Sequence, residues 1–363
     1  MNYRAGNIKT VIDRALKKRK NLLKYRNTER LINPSITNKS AFINYNKSRT
    51  FGPDPVICHA PSRSLYFDIH GNATSCCFNR SYIIGKYPEN SVGDIINGEK
   101  RIFLQKELGR QNFLYGCQHC LKLIEEGNYE GVEARLYDGL KNQGFTPSEI
   151  IFELDNNCNL ECIMCHEGFS SSIAKSKVTE QIIPPYDDKF IKQLKPWIKK
   201  LKVAKFLGGE PFLIKLYYRI WDLIIKENKT CKIHLQTNGM IMNDKIREYL
   251  HKGNFYIGVS IDSLQKEKLE NIRKNSDFDI VKMNLDEFIN ISRKRKTHLN
   301  ISVCPMQQNR FEIPEIVEFC NEKKVFIYFN HVYTKGFTLS ELNEEELLEL
   351  LNYYKSIKFD KPG

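Results

Sequence analysis

The sequence predicts an α/β protein, a partial (β/α)6 barrel preceded by a small cysteine-rich α+β domain. Three observations predict it. From about residue 148, strand-length apolar runs alternate with helix-length amphipathic segments, the signature of a parallel sheet. Six such runs occur, too few to close an eight-stranded barrel. Ahead of them, residues 56–140 hold five of the eleven cysteines around a hairpin signal.

Taken in order, residues 1–55 form a basic arm. Residues 8–27 read as a helix, with Ile8, Val11, Ile12, Leu16, Leu22 and Leu23 on one stripe. Asn33-Pro34-Ser35 ends it. Residues 56–140 open with a hairpin, Ser64 to Ile69, a turn at Gly71-Asn72, then Ala73 to Phe78, and helices follow near 92–109 and 119–129. The barrel spans 148–357. Its strands are expected at 149–155, 202–207, 231–236, 255–261, 298–304 and 325–330. Its helices are expected near 186–198, 213–227, 243–252, 281–295 and 312–322, with a last one at 339–357 capped by Ser340.

Composition narrows the class. Hydrophobic content of 41% and charged content of 27% are those of a globular chain. No apolar run approaches the roughly 18 residues of a membrane span, and the N-terminus lacks the apolar core of a secretory signal. The cysteines are odd in number and tightly clustered, which argues for metal sites in a reducing cytoplasm and against a disulfide framework. The net charge of +13 is concentrated at the front, where residues 1–57 hold 13 Lys and Arg against Asp13, Glu29 and Asp54. Such an arm suits an acidic partner (nucleic acid, an acidic peptide or an anionic surface) or serves only as a solubilising segment.

The most informative run is Cys158-Asn-Leu-Glu-Cys162-Ile-Met-Cys165. Thiolates are the soft ligands of iron–sulfur clusters, usually four at a time. Three leave one iron of a four-iron cluster open to a small molecule. Zinc is the competing reading, with His166 as a fourth ligand, although zinc sites favour paired C-x2-C spacings. The run falls at the end of the first strand, where parallel β/α architectures place their active sites. The second strand ends in Gly208-Gly209-Glu210-Pro211, whose glycines permit close approach to the backbone.

Alternation assigns faces to the other strands. Tyr256, Gly258, Ser260 and Asp262 share one face, as do His234, Gln236 and Asn238, and Asn300, Ser302 and Cys304, while Glu153 and Asp155 share a face of the first strand. That many polar groups on the inner face predict a cavity in place of a packed barrel core.

In order, the cysteine triplet, Gly-Gly-Glu-Pro and the fourth-strand pattern resemble the radical S-adenosylmethionine (SAM) enzymes. The resemblance implies a 4Fe–4S cluster on Cys158, Cys162 and Cys165, with SAM on the open iron and reductive cleavage to a 5′-deoxyadenosyl radical that abstracts hydrogen from a substrate. It implies contacts to SAM from Gly208, Gly209, Glu210 and Pro211, from Asn238, from Ser260 and Asp262 at the ribose, and from Met164 at the adenine. Cys304 is a candidate hydrogen-atom donor, as in some peptide-epimerising members; the alternative is a small buried hydrophobe. Cys231 and Cys320 read as structural.

Cys58, twelve residues, Gly71, four residues and Cys76, then Cys117 and Cys120, resemble the opening of the SPASM and twitch domains. That resemblance implies one auxiliary 4Fe–4S cluster on Cys58, Cys76, Cys117 and Cys120, with Cys77 able to replace Cys76; structural zinc is the alternative. The unit departs from the usual pattern, since SPASM domains generally follow the barrel and carry ligands for two clusters. Relatives of this kind often modify ribosomally made peptides, so a peptide or protein substrate is expected, with a flavodoxin- or ferredoxin-type electron donor and no membrane. A small-molecule radical oxidoreductase and an RNA-modifying enzyme using the basic arm are the alternatives.

Overall fold

A computed structural model describes residues 39–54, 56–140 and 144–357. The expected helix at 8–27 lies outside the described residues. The described residues form eleven strands: β1 (Ser64–Phe67), β2 (Asn72–Thr74), β3 (Gly85–Lys86), β4 (Glu149–Phe152), β5 (Glu161–Cys162), β6 (Val203–Phe206), β7 (Lys232–Thr237), β8 (Phe255–Ser260), β9 (Arg273–Lys274), β10 (Leu299–Val303) and β11 (Phe326–Phe329). Nine of them form one sheet in the order β11-β10-β8-β7-β6-β4-β1-β2-β3, while β5 and β9 pair separately.

All six predicted barrel strands are present, parallel and adjacent as expected. The helices between them fall at Asp188–Ile198, Lys215–Glu227, Asp244–Lys252, Phe278–Arg295 and Ile313–Glu322. Two short helices were not anticipated, Ser171–Ser176 and Lys266–Ile272. The last helix starts later than expected. Asn343 caps Glu344–Ser356 in a reciprocal box with Glu346, and the stretch around Ser340 is a single 3-10 turn capped by Thr338.

Alternation decides which face is covered. Ile150, Phe152, Ala204, Phe206, Ile233, Leu235, Ile257, Val259, Ile301 and Val303 enter one apolar core with Phe190, Leu194, Trp221 and Phe288 of the helices. Burying each large apolar side chain is worth about 1.5–3 kcal/mol. The opposite face carries Lys205, His234, Gln236, Tyr256, Ser260, Asn300 and Phe326, which are half-buried or exposed.

The cysteine-rich unit is joined to this sheet. β1 runs parallel to β4 with Ser64 opposite Glu149 and Phe67 opposite Phe152, and β2 and β3 extend the sheet antiparallel beyond it. A second core, including Tyr45, Ile57, Leu104, Leu108, Phe113, Ile124 and Tyr137, packs around the unit's cysteines. Arg49 ties this core together. Its guanidinium pairs with Asp138 at 2.5 and 2.9 Å and donates to the carbonyls of Asp54 and Val56. No helix among the described residues is long and apolar enough to cross a membrane.

Candidate functional site

The chain leaving β4 is pinned at both ends before it reaches the cysteines. Leu207 N–H donates to Phe152 O at 2.8 Å and Glu210 N–H to Asn157 O at 2.8 Å, so the Gly-Gly-Glu turn lies against residues 155–157. The close approach that the glycines permit is by this chain segment. A Cβ on Gly209 would lie 2.3 Å from Asn157 O, and one on Gly208 would lie 2.6 Å from Asp155 O; both glycines have positive φ.

Ser170 and Ser171 then hold the cysteine loop. The Ser171 hydroxyl accepts from Cys158 N–H at 3.1 Å, and the Ser170 hydroxyl donates to Leu160 O at 2.7 Å. Cys162 pairs backbone to backbone with Arg273, and Ile163 N–H donates to Ile272 O at 2.9 Å. Cys165 N–H closes a turn onto Cys162 O at 2.9 Å, and Thr334 donates to Met164 O at 2.7 Å. The three thiols are thereby held on one clamped loop, all half-buried. Burial pushes the Cys158 thiol up to about 11 and Cys165 up to about 12. Cys162 is also raised by burial, with the Arg273 cation opposing. His166 is exposed and turned onto its own loop, its Nδ1 accepting from Gly168 N–H at 3.2 Å and its ring against Phe169.

Glu210 is wholly buried. It accepts from Phe212 N–H and the Thr237 hydroxyl on one oxygen and from Asn238 N–H at 2.7 Å on the other. Burial pushes its carboxyl up to about 7 against these donors. Pro211 starts the short 3-10 helix that Glu210 caps. Asn238 donates to Asn159 at 2.8 Å, linking the β7 end to the cysteine loop.

Ser260 accepts from Gln236, which in turn accepts from Ser302, so one hydrogen-bonded row crosses β8, β7 and β10. A Cβ on Gly258 would lie 2.1 Å from Gln236 Oε1, which is why the row needs glycine there. Asp262 is fully buried and faces Arg273 at 2.7 Å, and its other oxygen accepts from Cys304 N–H at 2.7 Å. Cys304 packs with Met164, Ile163 and Met306. Thus Met164, Glu210, Asn238, Ser260, Asp262 and Cys304 gather at the strand ends around the cysteine loop. Arg273, Ser170, Ser171 and Thr334 join them without having been singled out in the sequence. Cys231 and Cys320 are buried in the apolar core.

The second cysteine set lines a pocket of its own. Cys58, Cys76, Cys117 and Cys120 face it together with Asn79, Leu104, Phe113 and Tyr137. Cys77 is not in the lining; its thiol lies in the field of Lys205 and Arg80. Asn79 donates to Cys117 Sγ at 3.5 Å and to Tyr115 O at 2.8 Å. Burial pushes Cys117 and Cys120 up to about 12. Among the described residues no three ligating side chains are spaced for a single ion. Four thiols spread around one pocket and three on one clamped loop are donor sets that fit multi-iron clusters.

Residues 153–320 match the model of the radical SAM superfamily, and residues 58–121 match that of the SPASM iron–sulfur cluster-binding domain. The barrel thus carries a radical SAM domain, and the unit ahead of it a SPASM domain. The chain is accordingly an enzyme that uses a 4Fe–4S cluster and SAM, with an auxiliary iron–sulfur cluster in its SPASM unit.

Among curated proteins, this radical SAM enzyme is similar to a probable GTP 3′,8-cyclase of Methanocaldococcus jannaschii, 31% identical over 47% of this chain and 53% of the relative. It is also similar to a GTP 3′,8-cyclase of Helicobacter pylori, 24% identical over 56% and 63%. The chain thus spans a little over half the length of the curated relatives it matches. Among solved structures it is similar to native anSMEcpe with bound AdoMet (19% identity, 57% of this chain and 59% of that one, TM-score 0.44). It is likewise similar to Streptococcus suis SuiB bound to the precursor peptide SuiA (18%, 71% and 58%, TM-score 0.42). Likenesses at these scores carry no functional argument.

Proposed function

We propose that this radical SAM enzyme modifies a peptide or protein chain. The observation that carries this reading is β11. It is the last strand of the nine-stranded sheet, and on the polar face it presents Phe326, 40% exposed, beside His298 and Tyr256 at the N-terminal ends of the strands, so that a chain paired along this edge would run from there toward the cysteine loop. A sheet edge offers backbone hydrogen bonds to an extended chain, and neighbouring aromatic rings supply pockets for its side chains. A small ligand has no need of such an edge.

In this reading Cys158, Cys162 and Cys165 hold the cluster and Cys58, Cys76, Cys117 and Cys120 hold the auxiliary one. When bound, the cluster and SAM supply hydrogen-atom abstraction, and the protein supplies position and exclusion of water. The backbone of Gly208 to Pro211, with Asn238, would hold the amino-acid end of SAM, with Glu210 buried beneath and fixing that turn; Ser260 would serve the ribose and Met164 the adenine. Asp262, wholly buried, acts through Arg273. Cys304 stands at the end of β10 as a candidate hydrogen-atom donor, and burial raises its thiol pKa, keeping the S–H form that such a donor needs.

A second reading is favoured by the curated relatives, whose names describe chemistry on GTP. The two are separated by substrate. The test is 5′-deoxyadenosine release from SAM and dithionite, with a random peptide library or GTP added, and mass spectrometry of each. Stimulation and a mass change on peptide support the proposal; turnover of GTP alone replaces it. Wild type is compared with the Cys158/Cys162/Cys165→Ala and Cys58/Cys76/Cys117/Cys120→Ala variants. About eight irons falling to about four in each would match the two ligand sets.

A further inference from the structure

The two cysteine loops meet at one side chain. Arg80 lies four residues after Cys76, and its Nε donates to Cys77 O at 3.0 Å, which aims the guanidinium out of its own loop. The two Nη atoms grip both oxygens of Glu153, each at 3.1 Å. Glu153 stands just beyond β4, five residues before Cys158. Its carboxylate also accepts from the Tyr66 hydroxyl at 2.7 Å, and its side chain is 7% exposed. The guanidinium lies over two rings, Tyr66 at 5.1 Å and Phe169 at 5.5 Å. Phe169 closes the turn after Cys165, its N–H donating to His166 O and its ring against that of His166. A Cβ on Gly208 would sit 3.1 Å from Glu153 Cγ.

One residue of the auxiliary loop therefore touches the strand that feeds the SAM-cluster loop and the turn that ends it. Through Glu153 it also reaches the Gly-Gly turn. The bidentate fork is a directional contact that only arginine makes; lysine supplies the charge without the geometry. The two aromatic rings add cation–π attraction that favours this placement of the guanidinium. Nothing in SAM binding or in ligation of either cluster requires these contacts, yet they tie the two loops to each other beyond the β1–β4 pairing.

We propose that Arg80 is a positioning residue that fixes the auxiliary-cluster loop against the SAM-cluster loop, so that magnetic coupling between the two clusters depends on its fork to Glu153. The inference rests on the reading that each cysteine set carries its own cluster. The test uses anaerobically reconstituted full chain reduced with dithionite, with iron content and low-temperature EPR power saturation as readouts. In wild type each cluster is expected to relax faster than in the variant lacking the other cluster's cysteines. Arg80→Gln and Glu153→Gln should lose that enhancement while retaining iron, and Arg80→Lys should fail to rescue it. Glu153→Gln, nearly isosteric, is the deciding arm if Arg80→Gln loses iron. Enhancement unchanged in Glu153→Gln, or absent from wild type, overturns the proposal. Fewer than about eight irons in wild type would overturn the two-cluster reading and the proposal with it.

Discussion

Asp262 and Arg273 form an ion pair at 2.7 Å in which both side chains are buried, and the same guanidinium lies 3.9 Å from the sulfur of Cys162. The pair joins the end of β8 to the strand that clamps the cysteine loop. Removing one member strands a charge in the interior. Asp262→Ala is therefore expected to cost about 3–5 kcal/mol. Urea unfolding would show a lowered midpoint at unchanged slope. A loss under about 1 kcal/mol, the scale of an exposed pair, would mean that Arg273 finds other partners.

Glu210 gives a pH dependence with a definite sign. Its carboxyl is raised from 4.5 to about 7 by burial. The folded state thus binds its proton more tightly than the unfolded one. Stability from this group is fully present below about pH 4.5 and is lost as pH rises through about 7. The full span is on the order of 3–4 kcal/mol. Glu210→Gln should flatten this slope. Thermal melts of cluster-free protein at pH 5 and pH 8 check it: the wild type should lose more than the variant between them.

Gly209→Ala tests the turn that seats the cysteine loop. The new methyl would lie 2.3 Å from Asn157 O on a backbone of positive φ. We expect a loss of about 2 kcal/mol or more, with the iron of the SAM cluster lost and that of the auxiliary cluster kept. Iron analysis after reconstitution separates this from general misfolding.

Arg49→Ala should act on the other cluster. Arg49 and Asp138 are 1% and 3% exposed, and the guanidinium also satisfies two carbonyls near Cys58. Leaving Asp138 unpaired is expected to cost about 3–5 kcal/mol. Auxiliary iron should fall first, detected as a drop toward about four irons with 5′-deoxyadenosine formation retained.

Much of this was legible in the chain because β alternation leaves little choice. Ile150 and Phe152 can only face the helices if Glu149 and Glu153 face away, and the same parity fixed the inner positions of Gln236, Ser260 and Ser302. The cysteine loop and the Gly-Gly turn were legible from spacing and from their place at strand ends. Arg273 was not. Nothing in Glu270-Asn-Ile-Arg-Lys marks it, because its role comes from antiparallel pairing with a segment 111 residues earlier in the chain. Ser170 and Ser171 were hidden in a polar stretch that reads as loop, and their hydroxyls gain meaning only once the cysteine loop folds back on them. Ser340 looked like a cap because a serine before an acidic run satisfies the local rule, yet the reciprocal box of Asn343 and Glu346 satisfies it better.

The seam between β1 and β4 has a consequence for how the molecule is made. Ser64 must wait for Glu149 before the sheet can zip across, so the cysteine-rich unit joins the barrel only after all the chain between the two strands has been synthesised. Folding that depends on such distant pairing is slow relative to local helix formation. A fragment beginning at β4 would expose a bare central strand, an invitation to aggregate. Cutting the protein between its two cysteine sets should therefore yield insoluble halves, and co-expression of both halves should restore them by pairing along that one edge.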